Sequence, residues 1–145
     1  MSKFAKFALS ALLSFVFTNT VIAAPLTAKD VTECDRLAAD PEDQNRIALA
    51  VFTKEMSAIA ALKACQSAYE NDPTNLRLIH QYGRTLLVND RMEGLEILTL
   101  SAEKEYVASQ KALGHFFYTE SSPQRDYEKS FHWFQRAANN GDQIV

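Results

Sequence analysis

The sequence predicts an all-α protein built as an α/α superhelical solenoid of antiparallel helix hairpins. Three observations carry this. Glycine and proline are scarce, four each in 145 residues, which disfavours a turn-rich β architecture. Apolar residues recur at three- and four-residue steps in segment after segment, the period of a helix with one buried face. Gly83 and Gly114 sit 31 residues apart in comparable helical settings, a period that signals stacked repeats.

The first residues stand outside that fold. Lys3 and Lys6 precede an apolar run, Phe7 to Phe17, and Val21-Ile22-Ala23-Ala24 offers small residues for cleavage. This is the layout of a secretory signal peptide over residues 1–24. An uncleaved membrane anchor is the alternative, but the run is too short to span a bilayer comfortably. Removing Lys3 and Lys6 takes the formal charge from −3 to −5. That balance argues against non-specific binding to nucleic acid or acidic lipid. The expected location is periplasmic or secreted.

Both cysteines, Cys34 and Cys65, lie in the exported part. An even count in an oxidising compartment favours a disulfide, closing a loop worth roughly 3–4 kcal/mol in the chain-entropy model. There is no CxxC to suggest a thioredoxin-like centre. Neither cysteine has a histidine or acid at zinc-ligand spacing.

Residues 25–52 form an N-terminal unit. Leu26 to Ala39 reads as a first helix, with Val31, Cys34, Leu37 and Ala38 on one face, Thr27 as cap and Asp40-Pro41 as stop. Pro41 to Phe52 has no period and reads as a packed loop with Ile47, Leu49, Val51 and Phe52 turned at least partly inward. Residues 53–145 carry the repeats. Thr53 to Asn71 is a second helix, capped by Thr53, with Met56, Ile59, Ala60, Ala64, Cys65 and Ala68 as its stripe. Asn75 to Val88 is a third, with Leu78, Ile79, Tyr82 and Leu86 on the buried side. Gly83 in its interior costs about 1 kcal/mol relative to alanine, so it points to close approach by another helix. Asp90 and Glu93 resemble a capping box for a fourth helix, Arg91 to Lys104, whose face is Met92, Leu95, Ile97, Leu98 and Ala102. A fifth spans Tyr106 to Thr119, and a sixth spans Asp126 to Asn139, closed by Asn140-Gly141.

One constellation stands out chemically. Arg77, His80 and Arg84 share a helix face, and Lys111, His115 and Tyr118 share the corresponding face one hairpin later. The bland reading is that the arginines pair with nearby acids such as Glu70 and Asp72 and only hold the stack together. His80, His115 and His132 form no HExxH and suggest no metal. No G-x-S-x-G elbow or phosphate-cradling glycine loop is present, and nothing calls for a cofactor. The expectation is a non-enzyme.

The stretch with Ala108, Leu113-Gly114, Phe117, Asp126-Tyr127-Glu128-Lys129-Ser130, Trp133-Phe134, Ala137-Ala138 and Gly141-Asp142 resembles one full Sel1-like repeat. Ala61, Ala68, Pro73 and Gly83 similarly fit a tetratricopeptide-like hairpin. The glycine pair usual in the Sel1-like inter-helix turn is replaced here by Glu120 and Ser122. The leader ECDRLAADPED, with Cys65 in ALKACQSAYENDPTN, resembles exported bacterial proteins that set such a hairpin before Sel1-like repeats. The resemblance implies an α/α superhelix that binds protein or peptide on its inner face, in a Gram-negative periplasm, without chemistry of its own. By that resemblance the six residues from Arg77 to Tyr118 would line the groove and hold an acidic peptide or a C-terminal carboxylate. Cysteine-rich Sel1-like proteins are linked to penicillin binding and weak β-lactamase activity, the alternative reading; it needs a disulfide in each repeat, and the repeat at 108–142 has no cysteine. Phe131 and Phe134 suggest self-association through an open C-terminal repeat.

Overall fold

The computed structural model describes residues 31–141. The expected signal peptide, Leu26 and the cap Thr27 lie outside them. Six α-helices follow one another: α1 (Glu33–Ala38), α2 (Ala58–Asn71), α3 (Leu76–Val88), α4 (Glu93–Ala102), α5 (Val107–Tyr118) and α6 (Tyr127–Asn139). No strand occurs among the described residues. Each helix packs against the next from α1 through α6, except that α1 touches both α2 and α3, and α3 also reaches α5.

α1 starts later than expected. Its cap is Thr32, whose side chain accepts from the Asp35 N–H while the Asp35 carboxylate accepts from the Thr32 N–H. This reciprocal capping box satisfies two of the N–H groups that a helix start leaves without partners. Cys34 and Cys65 are joined in a disulfide, so this short helix is pinned to α2. Both sulfur-bearing residues are fully buried, in an apolar cluster with Ala38, Met56, Ala61 and Leu78.

Residues 40–50 form a closed Ω-like loop, its ends tied by the Val51 N–H donating to the Ala39 carbonyl. The apolar residues of this loop do not all turn inward. Leu49 is 89% exposed and Phe52 is 52% exposed. Val51 packs against the apolar core and Ile47 is half-buried, while Asp43 is the fully enclosed side chain of the loop. A single 3-10 turn, Thr53–Glu55, separates the loop from α2. Thr53 therefore caps nothing; its hydroxyl accepts from Arg84. The stripe of α2 is narrower than expected, with Ala61 and Cys65 buried and Ile59 82% exposed.

α3 and α4 approach closely through glycine, as the sequence led us to expect at Gly83. A Cβ built on Gly83 would meet Leu98 Cγ at 2.8 Å and the Gly94 carbonyl at 3.1 Å. The capping box expected at Asp90 is absent. Asp90 instead adopts φ 56° and ends α3 in a Schellman motif, with the Arg91 N–H bonded to the Leu86 carbonyl and the Asp90 N–H to that of Leu87. Glu105 (φ 64°) ends α4 in the same way. α6 begins at the cap Asp126, whose carboxylate accepts from the Glu128 and Lys129 N–H groups, and it stops at Asn140-Gly141. A second apolar cluster, Leu98, Ala102, Leu113, Phe117 and Trp133, joins α4, α5 and α6.

Candidate functional site

The site expected from sequence begins on the polar face of α3. Asn75 caps that helix, and the helical period then aligns Arg77, His80, Gln81 and Arg84 opposite the apolar Leu78, Ile79, Tyr82 and Leu86. That polar face is not left to solvent. The Ω-like loop and α1 lie on it and meet each cation with an acid.

Arg77 holds Asp35 with two hydrogen bonds, Nε to Oδ1 at 2.8 Å and an Nη to Oδ2 at 3.2 Å. Gln81 adds a bond to Oδ1 at 3.1 Å. Burial alone would raise the Asp35 pKa; Arg77 and the Thr32 donors outweigh it and hold the carboxyl below its usual range. Arg84 donates to the carbonyls of Ala38 and Val51, the two ends of the loop, and its Nε lies 3.5 Å from Asp40. Here burial wins, and the Arg84 pKa is lowered against the opposing pull of Asp40 and Glu42. The fork geometry of guanidinium suits this clamp, which a point-charge lysine would not reproduce.

His80 is fully buried. Its Nε2 lies 3.0 Å from Asp40 and its Nδ1 3.0 Å from the Ser109 hydroxyl on α5. Ser109 shares a further hydrogen bond with Ser101, which donates to the Leu98 carbonyl. Tyr106 completes the seam by donating to Asp43 at 2.7 Å; burial first, and then the Asp43 carboxylate, push its hydroxyl pKa up. No buried side-chain polar atom among the described residues lacks a partner, as a buried polar network requires.

The second half of the expected strip is more open. Lys111 pairs with Glu42 at 3.2 Å, and His115 approaches the same carboxylate at 3.7 Å with more than half its side chain exposed. Tyr118 is 60% exposed and packs edge-on to Tyr127. The structure thus brings Arg77, His80 and Arg84 together as internal anchors, joins Lys111 and His115 through Glu42, and leaves Tyr118 apart from them. The close partners are Asp35, Asp40 and Glu42; of the acids suggested by helical proximity, Asp72 feels the Arg77 charge without a direct ion pair.

Sequence reasoning missed one alignment. Asp40, His80 and Ser109 are linked as carboxylate, imidazole and hydroxyl, the order of an acyl-transfer triad. Their positions, forty and twenty-nine residues apart, follow no spacing rule. Ser109 and His80 are both 0% exposed, and a nucleophile must reach its substrate. The relay ties the loop to α3 and α5.

What remains open is a groove of about 590 Å3 beside this seam. α3 contributes Leu87 and Val88, α5 contributes Ala112 and Phe116, and Leu98 lies at the base. Asp40, Glu42, Arg84, His115 and Thr119 give it a polar rim, and Phe52 of the loop supplies one wall. A cavity of about 700 Å3 lies between α1, α2 and the start of α3, lined largely by Ala60, Ala64, Ala68, Leu37 and Leu78. The α3–α5 groove is the one bordered by Arg84 and His115 of the expected strip. No group of three metal-ligating side chains converges among the described residues, and none of their helices is long and apolar enough to cross a membrane.

Comparison with protein-family models, with curated proteins and with solved structures finds no match for this chain.

One acid of the loop, Asp40, makes stability sensitive to pH. The Asp40 pKa is depressed from 3.8 to about 2: burial raises it, but the His80 hydrogen bond and the charges of His80 and Arg84 prevail. A depressed carboxyl stabilises the fold fully above its unfolded value and loses that contribution as pH falls through the folded one. Asp40 should therefore contribute about 2 kcal/mol at neutral pH that disappears between roughly pH 4 and pH 2. Urea midpoints recorded across that range should fall steeply for the wild type and less steeply for Asp40→Asn.

Proposed function

We propose that this chain is an exported, non-enzymatic repeat module of the Sel1-like and tetratricopeptide-like kind, which holds a protein or peptide segment in the groove between α3 and α5. The observation that carries the reading is the groove itself, a concave enclosure with an apolar floor and a few polar groups at its edge, the usual character of a binding site. The repeat reading draws support from Gly83 and Gly114. Each stands on the first helix of a pair and faces the second, Gly83 against Leu98 of α4 and Gly114 against Phe134 of α6.

The seam alters what the groove would recognise. Arg77, His80 and Arg84 are already satisfied by Asp35, Asp40 and backbone carbonyls, and of the three only Arg84 borders the groove. Recognition then falls to the apolar floor and to His115 and Thr119 at the rim. A segment with one or two apolar side chains suits this surface better than a strongly acidic one. The acidic charge of the chain, −5 without Lys3 and Lys6, favours no nucleic acid partner, and the expected compartment is the periplasm.

Peptide display against the purified chain tests this. Enriched peptides should bind in the micromolar range, and Ala112→Trp, which fills the floor, should weaken them at least about tenfold. A library that yields no binder, or binders indifferent to Ala112→Trp in a normally folded variant, would count against the groove.

A further inference from the structure

The two helix pairs, α3–α4 and α5–α6, can be aligned by their glycine contacts. Leu98 lies over Gly83 in the first, and Phe134 lies over Gly114 in the second. On this alignment Leu87 corresponds to Tyr118, four residues after each glycine, and Leu95 corresponds to Phe131, three residues before Leu98 and Phe134. In the first pair this face is largely covered: Leu98 is fully buried and Leu87 and Leu95 are half-buried, packed in one cluster with Leu113, Phe117 and Trp133 of α5 and α6. In the second pair the equivalent face is open, with Tyr118 60% and Phe131 67% exposed and Phe134 half-buried.

We infer that this face docks against the same face of a second copy of the chain. Inside the molecule the corresponding face of α3–α4 is covered by apolar and aromatic side chains, Leu113, Phe117 and Trp133, and Tyr118 and Phe131 of a second copy offer the same chemistry. A two-fold arrangement lets one aromatic patch serve both sides, and tyrosine and phenylalanine are enriched in interfaces. Charge permits the approach. The chain is acidic overall, yet between residues 120 and 139 Arg125, Lys129 and Arg136 balance Glu120, Asp126 and Glu128. Two copies meeting here avoid the repulsion that the rest of the surface would impose.

Sedimentation analysis of the chain freed of its apolar leader, from micromolar to submillimolar concentration, tests the inference. A dimer is expected, with Phe131→Glu weakening association at least about tenfold. Leu49→Glu, at another exposed apolar position, should leave the dimer intact. Circular dichroism checks each variant, and Tyr118→Ser substitutes if Phe131→Glu disturbs the fold. A monomer at every concentration, a dimer indifferent to the α6 substitutions, or one dissolved by Leu49→Glu would each overturn it.

Discussion

Arg77→Ala is expected to destabilise the protein by about 3–5 kcal/mol, the cost of leaving a buried carboxylate without its cation. Asp35 has no exposed side-chain surface and takes two of its hydrogen bonds from the Arg77 guanidinium. Asp35 also completes the capping box of α1, so the loss reaches the segment that the Cys34–Cys65 disulfide pins to α2. Arg36→Ala provides the contrast. Arg36 pairs with Glu33 at 3.2 Å, but both side chains are more than half exposed, and such pairs are worth about 0–1 kcal/mol. Urea unfolding of the two variants should separate them clearly. Arg77→Lys should fall between, keeping the charge and losing the fork. Equal effects for Arg77→Ala and Arg36→Ala would mean that the loop and α1 are not anchored on α3 as described.

Gly94→Ala is the second large effect. On an exposed helix this exchange would stabilise by about 1 kcal/mol. Here a Cβ would stand 2.5 Å from the Gly83 carbonyl oxygen, 2.8 Å from Leu87 Cγ and 3.0 Å from Leu86 Cβ. The nearest obstacle is backbone, so no rotamer change relieves it, and α3 and α4 must separate. Overpacking of this kind costs about 1–3 kcal/mol or more, enough to reverse the propensity gain. Gly114→Ala makes a useful comparison. The atoms nearest its new Cβ would be those of the Phe134 ring, from 2.8 Å, which is partly exposed and can shift. Calorimetry should show a lower Tm for Gly94→Ala and a smaller change for Gly114→Ala. A Tm raised by Gly94→Ala would contradict the close crossing.

Much of the helical framework is legible because its signals are local. Asn75 and Asp126 announce helix starts, Asn140-Gly141 announces a stop, and a glycine inside an otherwise good helix at Gly83 points to close packing. The failures arise where long-range contacts decide. The polar face of α3 reads as solvent-facing by period alone, yet it is buried, because Asp35 and Asp40 arrive from forty or more residues upstream with matching charge. The acid-rich spacing of that leader was the available signal. Leu49 and Phe52 fail in the opposite sense: the loop closes through Arg84 and the Ala39–Val51 hydrogen bond, which leaves these two side chains outside while Val51 packs on the core. Asp90 and Glu105 occupy left-handed positions that glycine would mark, so the places of both turns were legible but their conformation was not. Ser109 entered no motif, and only the fold places it beside His80.

The functional claim rests on the groove between α3 and α5. Its most direct test is to map a display-selected peptide onto the labelled protein by amide chemical-shift perturbation. Perturbations should concentrate at Leu87, Val88, Ala112, His115, Phe116 and Thr119. Shifts confined to the cavity between α1 and α2, or to the exposed face of α6, would contradict the assignment.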